Sequence, residues 1–224
     1  MQEQLILTPL PTASADVYNV SAFQLPDPNG RAGGACTSAL LQVLYKDRHQ
    51  NQEKLTWVEL LRRMRTVLGG MGYDQIPQLT SSRLIDVGKT MYIVPPGATG
   101  TKRAILIGIN YEGQQGQLSG CHNDASNMGD YLEKVHDFSR ANMLILMDDG
   151  INHTPTKQNI MNAFERITQY CQAGDVVFLH YSGKFKVVDD EIITWHRRYC
   201  SNRALLLYLY RPWQSCSRSR RRRR

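Results

Sequence analysis

The side chains able to do chemistry gather at the ends of two apolar runs. Arg103–Ile109 reads R-A-I-L-I-G-I and is followed by Asn110-Tyr111, then by Ser119-Gly120-Cys121-His122-Asn123-Asp124-Ala125. Asp175–Tyr181 reads D-V-V-F-L-H-Y and leads into Ser182-Gly183. Continuous apolar runs of this length suit strands buried on both faces. In open α/β sheets, ligands sit beyond the carboxyl ends of such strands. A thiol, a carboxylate and a hydroxyl are therefore placed where a site would form, with an imidazole two residues before the last. A carboxylate in a cleft pairs well with a guanidinium. On residue type alone, however, Asp124 reads as the cap of the helix that follows and Cys121 as packing. The five cysteines, Cys36, Cys121, Cys171, Cys200 and Cys216, are odd in number and widely spaced, and no C-x-x-C occurs. That pattern argues against a disulfide framework or a zinc site, so a functional cysteine would act as a lone thiol. Cys36 and Cys171 fit apolar helical faces as small hydrophobic residues.

Three strands and two helices are expected to hold these groups. Arg103–Ile109, Met143–Met147 and Asp175–Tyr181 alternate with one helix capped by Asn123 or Asp124 and running to about Asp137, and another opened by Thr154-Pro155. The second helix carries the stripe Ile160, Ala163, Phe164, Ile167 and Cys171 and stops at Gly174. Strand, helix, strand, helix, strand with short connections predicts a parallel α/β sheet. Ahead of it, Ala32-Gly33-Gly34 opens a helix with Leu40, Leu41, Val43 and Leu44 on its apolar face. Thr56 with Glu59 forms a capping box for a further helix. Its expected apolar side is Val58, Leu61, Met64 and Leu68, joined by Arg65, and Gly69-Gly70 supplies a left-handed stop. Tyr18–Phe23 is a short strand candidate, and Gln75–Leu79 another that Pro77 confines to an edge. Residues 1–11 read as an unpatterned lead and residues 87–101 as a linker.

Of the 224 residues, 42% are hydrophobic and 21% charged, an ordinary globular balance that excludes a coiled coil, collagen or wholesale disorder. The net charge of +7 belongs to the end of the chain: residues 211–224 hold Arg211, Arg218 and Arg220 to Arg224, and without them 20 basic residues face 20 acidic ones. A folded nucleic-acid-binding surface normally carries its own positive charge, so that class loses its main support. The longest apolar run, Ala204–Tyr210, is far too short to span a bilayer. With no secretory leader pattern, the expectation is a cytoplasmic or nuclear protein without a membrane partner.

The series K-R-A-I-L-I-G-I-N-Y, G-C-x-N-D-A and D-V-V-F-L-H-Y-S-G, spread over residues 102–183, resembles the first half of the catalytic domain of metacaspases, the caspase-like cysteine peptidases. The first part of the chain resembles the family's carboxyl-terminal portion: Ser14-Ala15-Asp16-Val17, Ala32-Gly33-Gly34-Ala35-Cys36-Thr37, and Gln75 to Ser82 with Ile85-Asp86. The resemblance thus divides the chain into a lead (1–11), a segment like the metacaspase C-terminal part (12–86), a linker (87–101), a caspase-like N-terminal core (102–193) and an unmatched Arg-rich tail (194–224). It implies an α/β, caspase-like three-layer fold with a mainly parallel sheet, left incomplete. The order is reversed relative to the family. Circular permutation or the fusion of neighbouring gene copies would produce it, and the missing middle of the domain favours the fusion or a mis-joined gene model.

Family chemistry joins a thiolate that attacks the peptide carbonyl after Arg or Lys to a histidine that moves the protons. The family pattern H-Y-S-G-H-G reads His180-Tyr181-Ser182-Gly183-Lys184-Phe185 here. Lys184 stands at the position of the catalytic imidazole, and an unburied lysine titrates near pH 10.4. His180 matches the family's other histidine, and a four-residue shift along a strand is roughly 13 Å. No turn like that of the family's nucleophile occurs; Cys216, after the Ala204–Tyr210 run, is the nearest stand-in. The implied catalytic residues are therefore absent, and the expectation is a pseudoenzyme, an inactive fragment of the peptidase. By the same resemblance, Cys121, Asp124 and Ser182 match the pocket that receives the basic side chain. Val187 to Ile192 resembles the I-V-D-D-E-I segment, in which Asp189 and Asp190 are the remnant of a Ca²⁺ site that needs six to eight oxygens. Implied partners are Arg/Lys peptide substrates and other metacaspase chains. A second, non-catalytic reading makes the chain an interaction module or decoy for caspase-like partners, with the tail contacting RNA phosphates.

Overall fold

The computed structural model describes residues 3–10, 33–50, 55–73, 75–81, 84–114, 117–183 and 205–210. In chain order the elements are β1 (Glu3–Leu10), α1 (Ala35–Gln50), α2 (Trp57–Gly70), β2 (Ile76–Ser81), β3 (Lys102–Gly108), α3 (Cys121–His136), β4 (Met143–Met147), α4 (Lys157–Tyr170), β5 (Val176–Ser182) and β6 (Leu205–Tyr210). One sheet of order β2-β1-β6-β5-β3-β4 joins all six strands. The three apolar runs of the sequence form its parallel half, with β3 between β4 and β5. The other half is antiparallel.

Side-chain alternation along the parallel strands builds a core on each face. Ala104 and Leu106 of β3 and Val176 and Phe178 of β5 pack with α1, α2 and α3. Ile105, Ile107 and Leu179 pack on the opposite face with the α4 stripe of Ile160, Ala163, Phe164 and Ile167. Helices on both faces of a sheet give the three-layer α/β arrangement.

Several local expectations change. The lead is strand β1, and the Ala204–Tyr210 run supplies β6. Because β6 pairs with β5 from Val176 to Tyr181, the outer edge of β5 is covered rather than left bare. Pro77 does lie on the edge strand β2, opposite Pro9, and Pro9 falls beyond the stretch of β1 that pairs with β6, so neither ring interrupts an inner ladder. In α2, Thr56 Oγ1 accepts the Glu59 N–H at 3.2 Å, but the Glu59 carboxylate binds Arg62 and Arg63 instead of reaching back. Its buried side is Leu60, Met64 and Leu68, while Val58 and Arg65 face outward. The left-handed residue after α2 is Gly72, not the Gly69-Gly70 pair. The cap of α4 is Thr156, which accepts the Asn159 N–H at 3.1 Å, so Pro155 precedes the cap. Tyr18–Phe23 lies outside the described residues.

Residues 87–101 form a packed strap. Met91 N–H donates to the Leu55 carbonyl at 2.7 Å, Ile93 is buried, and Met91, Val94 and Ala98 rest on the core shared by α1, α2 and α3. The strap enters β3 by a close approach of two glycines: Gly100 N–H donates to the Gly174 carbonyl at 3.1 Å, and a Cβ on Gly100 would stand 2.4 Å from the Gly174 backbone. Gly100→Ala is therefore expected to destabilise the fold by about 1–3 kcal/mol through overpacking against backbone. Equilibrium urea unfolding measures it, and an unchanged midpoint would mean the strap yields freely.

Candidate functional site

Four groups meet at the carboxyl ends of the parallel strands. β3 ends in Gly108 and delivers Asn110, β4 delivers Asp148, β5 ends in Ser182, and the first turn of α3 brings Cys121, His122 and Asp124. Gly108 permits the closeness, since a Cβ there would lie 2.4 Å from the Cys121 carbonyl oxygen. Cys121 N–H donates to Asn110 Oδ1 at 3.0 Å, which ties the start of α3 to the end of β3.

Asp124 does not cap α3. The N-cap is Gly120 in a left-handed conformation, and Asp124 lies one turn inside with its side chain pointing into the fold. It is 1% exposed. Its Oδ2 accepts the Ser182 hydroxyl at 2.6 Å, and its Oδ1 accepts the Gly34 N–H at 2.7 Å. The buried Thr37 side chain is a third donor. Burial pushes the carboxyl up to about 6, against the opposing pull of Ser182, Gly34 and Thr37. Cys121 is buried in the same turn, so the structure brings Cys121, Asp124 and Ser182 together.

Two elements of this cradle carried no role in the sequence. Gly34 and Thr37 come from the start of α1, 90 and 87 positions before Asp124. Their signal was the run of small residues Gly33-Gly34-Ala35, which suits a close backbone approach. Asp148 was also missed, although a carboxylate directly after a buried strand is the residue that the strand-end rule selects. It accepts the backbone N–H groups of Asn110 at 2.8 Å and Tyr111 at 2.6 Å, and the His122 Nε2 lies 2.6 Å from it. Burial works against ionisation there, but His122 and the two backbone donors hold its carboxyl below the usual range. This anchoring keeps Tyr111 in left-handed backbone with φ 57°, and its hydroxyl 3.3 Å from that of Tyr181.

Cys36 and His180 are not equipped for nucleophilic work. Cys36 is buried; desolvation, then the nearby Asp124 charge, pushes its thiol up to about 12. His180 lies on β5 between Leu106 of β3 and Leu206 of β6, is 2% exposed, and has no hydrogen-bond partner on either ring nitrogen among the described residues. Burial brings it down to about 3, so it is neutral at physiological pH and a weak base. Lys184, Asp189, Asp190, Cys200 and Cys216 lie outside the described residues. Among the described residues no three His, Cys, Asp or Glu side chains group as metal ligands. The carboxylates of Asp189 and Asp190 supply at most four oxygens, too few for calcium. These two residues alone do not complete such a site. No helix among the described residues is long and apolar enough to cross a membrane.

Residues 102–197 match the family model for the metacaspase, peptidase C14 domain. The chain is 53% identical over 180 residues to "Metacaspase III c" of Phaeodactylum tricornutum, covering 80% of this chain and 53% of that protein. It is 48% identical over 87 residues to "Metacaspase-1" of Sclerotinia sclerotiorum and equally so to "Metacaspase-1" of Emericella nidulans, covering 38% of this chain and 20% and 22% of those proteins. The chain thus spans about half the length of the first relative and about a fifth of the others. A match of 180 residues within 224 must include residues 45–180, so parts of both segments and the strap between them recur in the Phaeodactylum protein in the order they have here. The order of these parts is therefore shared with the Phaeodactylum protein and is not peculiar to this chain. With the site at the carboxyl ends of a parallel sheet and these matches in hand, the chain belongs to the metacaspase family of cysteine peptidases.

Proposed function

We propose that this chain is a metacaspase-family member that retains the recognition end for an Arg or Lys side chain and lacks peptide-bond cleavage. The observation that carries the reading is the Asp124 cradle: a buried carboxylate held by Ser182, Gly34 and Thr37, with no cationic partner among those three. With its carboxyl at about 6, Asp124 is largely ionised at neutral pH. A buried anion whose donors among the described residues are neutral attracts a guanidinium or ammonium strongly, because the low local dielectric weakens the charge less than water does. A carboxylate offers about four lone-pair positions, and three are already used. A basic side chain would therefore meet the one position left free by the described residues and bind end-on, an arrangement that favours neither the Arg fork nor the Lys point charge.

Cleavage requires a thiolate beside a base. Cys36 stays protonated, His180 is enclosed in the sheet, and Lys184 occupies the imidazole position implied by the family resemblance. The expected result with an Arg-containing fluorogenic peptide and millimolar calcium is no turnover above background. Clear turnover that disappears in Cys216→Ala or Cys121→Ser would overturn the proposal of inactivity.

A further inference from the structure

We infer that Thr37, with the glycine pair Gly33-Gly34, positions the specificity carboxylate Asp124, so that the basic-side-chain pocket is completed only by the amino-terminal segment of the chain. The inference rests on the reading of Asp124 as the recognition carboxylate and extends it to residues on a different element. Gly34 places its N–H 2.7 Å from Asp124 Oδ1. The approach is open only to glycine: a Cβ on Gly34 would stand 2.4 Å from Asp124 Oδ2, and one on Gly33 would stand 3.0 Å from Oδ1 and 2.8 Å from Ser38 Oγ. One helical step further, Thr37 is 4% exposed and hydrogen-bonds the same carboxylate. The start of α1 therefore supplies two of the three donors, and β5 supplies one through Ser182.

These donors act on Asp124 through its charge. Each favours the ionised form and opposes burial, which favours the neutral form. Among the described residues, the titratable groups facing it are the Cys36 thiol on α1 and, on the Ser182 face of β5, the neutral His180. Cys121 shares its turn of α3, and His122, one residue on, is held at Asp148. The α1 donors thus keep the carboxylate charged and aimed, and a pocket without them would hold a neutral acid with no pull on a cation.

The test uses the full-length chain, with Thr37→Val to remove the hydroxyl at constant shape and Thr37→Ser to restore it. Asp124 ionisation is followed by carboxyl ¹³C NMR, and N-acetylarginine amide binding by calorimetry across pH 5 to 8. Losing one hydrogen bond to a charged group should raise the Asp124 midpoint by about one pH unit. The pH midpoint of arginine-amide binding should rise with it, and Thr37→Ser should return both to the wild-type values. Arginine-amide binding with an Asp124 midpoint unmoved in Thr37→Val, or equally moved in Thr37→Ser, overturns the positioning role alone. A midpoint that moves as expected while no variant binds the amide at any pH overturns the recognition reading, and the pocket assignment with it. Should Thr37→Val not fold, Gly34→Ala replaces it, with the same upward shift expected because its Cβ must push the donor off Asp124.

Discussion

His180→Leu is expected to make the protein markedly more resistant to acid. The imidazole is enclosed by sheet neighbours, lacks a partner on either nitrogen among the described residues, and is held by burial at about 3. Its folded-state pKa is thus depressed below the unfolded value of 6.5. Stability from keeping the ring neutral is fully present above pH 6.5 and is lost as pH falls toward 3, at about 1.4 kcal/mol per pH unit. Asp124 works in the opposite sense. Its folded pKa is raised to about 6, so its contribution grows as pH falls from above 6 toward the unfolded value. The two partly offset in the native chain, and comparing variant with native isolates the histidine. Between pH 7 and 4 the native chain should lose roughly 3 kcal/mol relative to His180→Leu. At pH 7 the variant should already gain about 1 kcal/mol, because it removes a buried polar group without a partner. Urea unfolding midpoints at four pH values measure both effects. Parallel pH profiles would show that His180 takes up its proton in the folded state near the ordinary value, contrary to its enclosure.

Replacing Asp124 separates its charge from its hydrogen bonds. In Asp124→Ala, the Gly34 N–H, the Thr37 hydroxyl and the Ser182 hydroxyl all lose their acceptor inside the fold. At about 1–3 kcal/mol for each stranded donor, partly relieved by rotation of the hydroxyls, the loss should be about 3 kcal/mol or more. A helix-capping aspartate would cost only about 1 kcal/mol. In Asp124→Asn, the amide oxygen keeps one acceptor and the buried charge disappears, so thermal stability at pH 7 should stay close to native. Arginine-amide binding should fall at least tenfold in both variants, since a desolvated ion pair contributes more than a neutral hydrogen bond. Calorimetric binding and thermal unfolding of the two variants check this together. Equal binding by Asp124→Asn and the native chain would show that the carboxylate's charge plays no part in recognition.

The covered β5 edge bears on handling of the protein as well as on its fold. Three parallel strands alone would leave β5 with an open side, a setting for edge-to-edge association. In the structure, the Ala204–Tyr210 run becomes β6 and closes that side, then passes the ladder to β1 and β2. Neither β1 nor β6 has the alternation that marks a half-buried strand, so their pairing was legible only once the neighbouring ladder was in place.

What the sequence determined by itself is the local and the periodic: the three buried strands, the stripe of α4, the Thr56 cap, and the placing of Cys121, Asp124 and Ser182 at strand ends. Those features depend on side chains within a turn or two of one another, where composition and spacing carry the physics. What only the tertiary structure decided is which distant groups meet. Asp124 reads locally as a helix cap, and it becomes a buried carboxylate because Gly34, 90 positions earlier, has no side chain to keep the backbone away. The same contact shows how segments far apart in the chain build one cradle: hydrogen bonds and packing depend on which surfaces touch, whereas the covalent order fixes only where the strap between them must run.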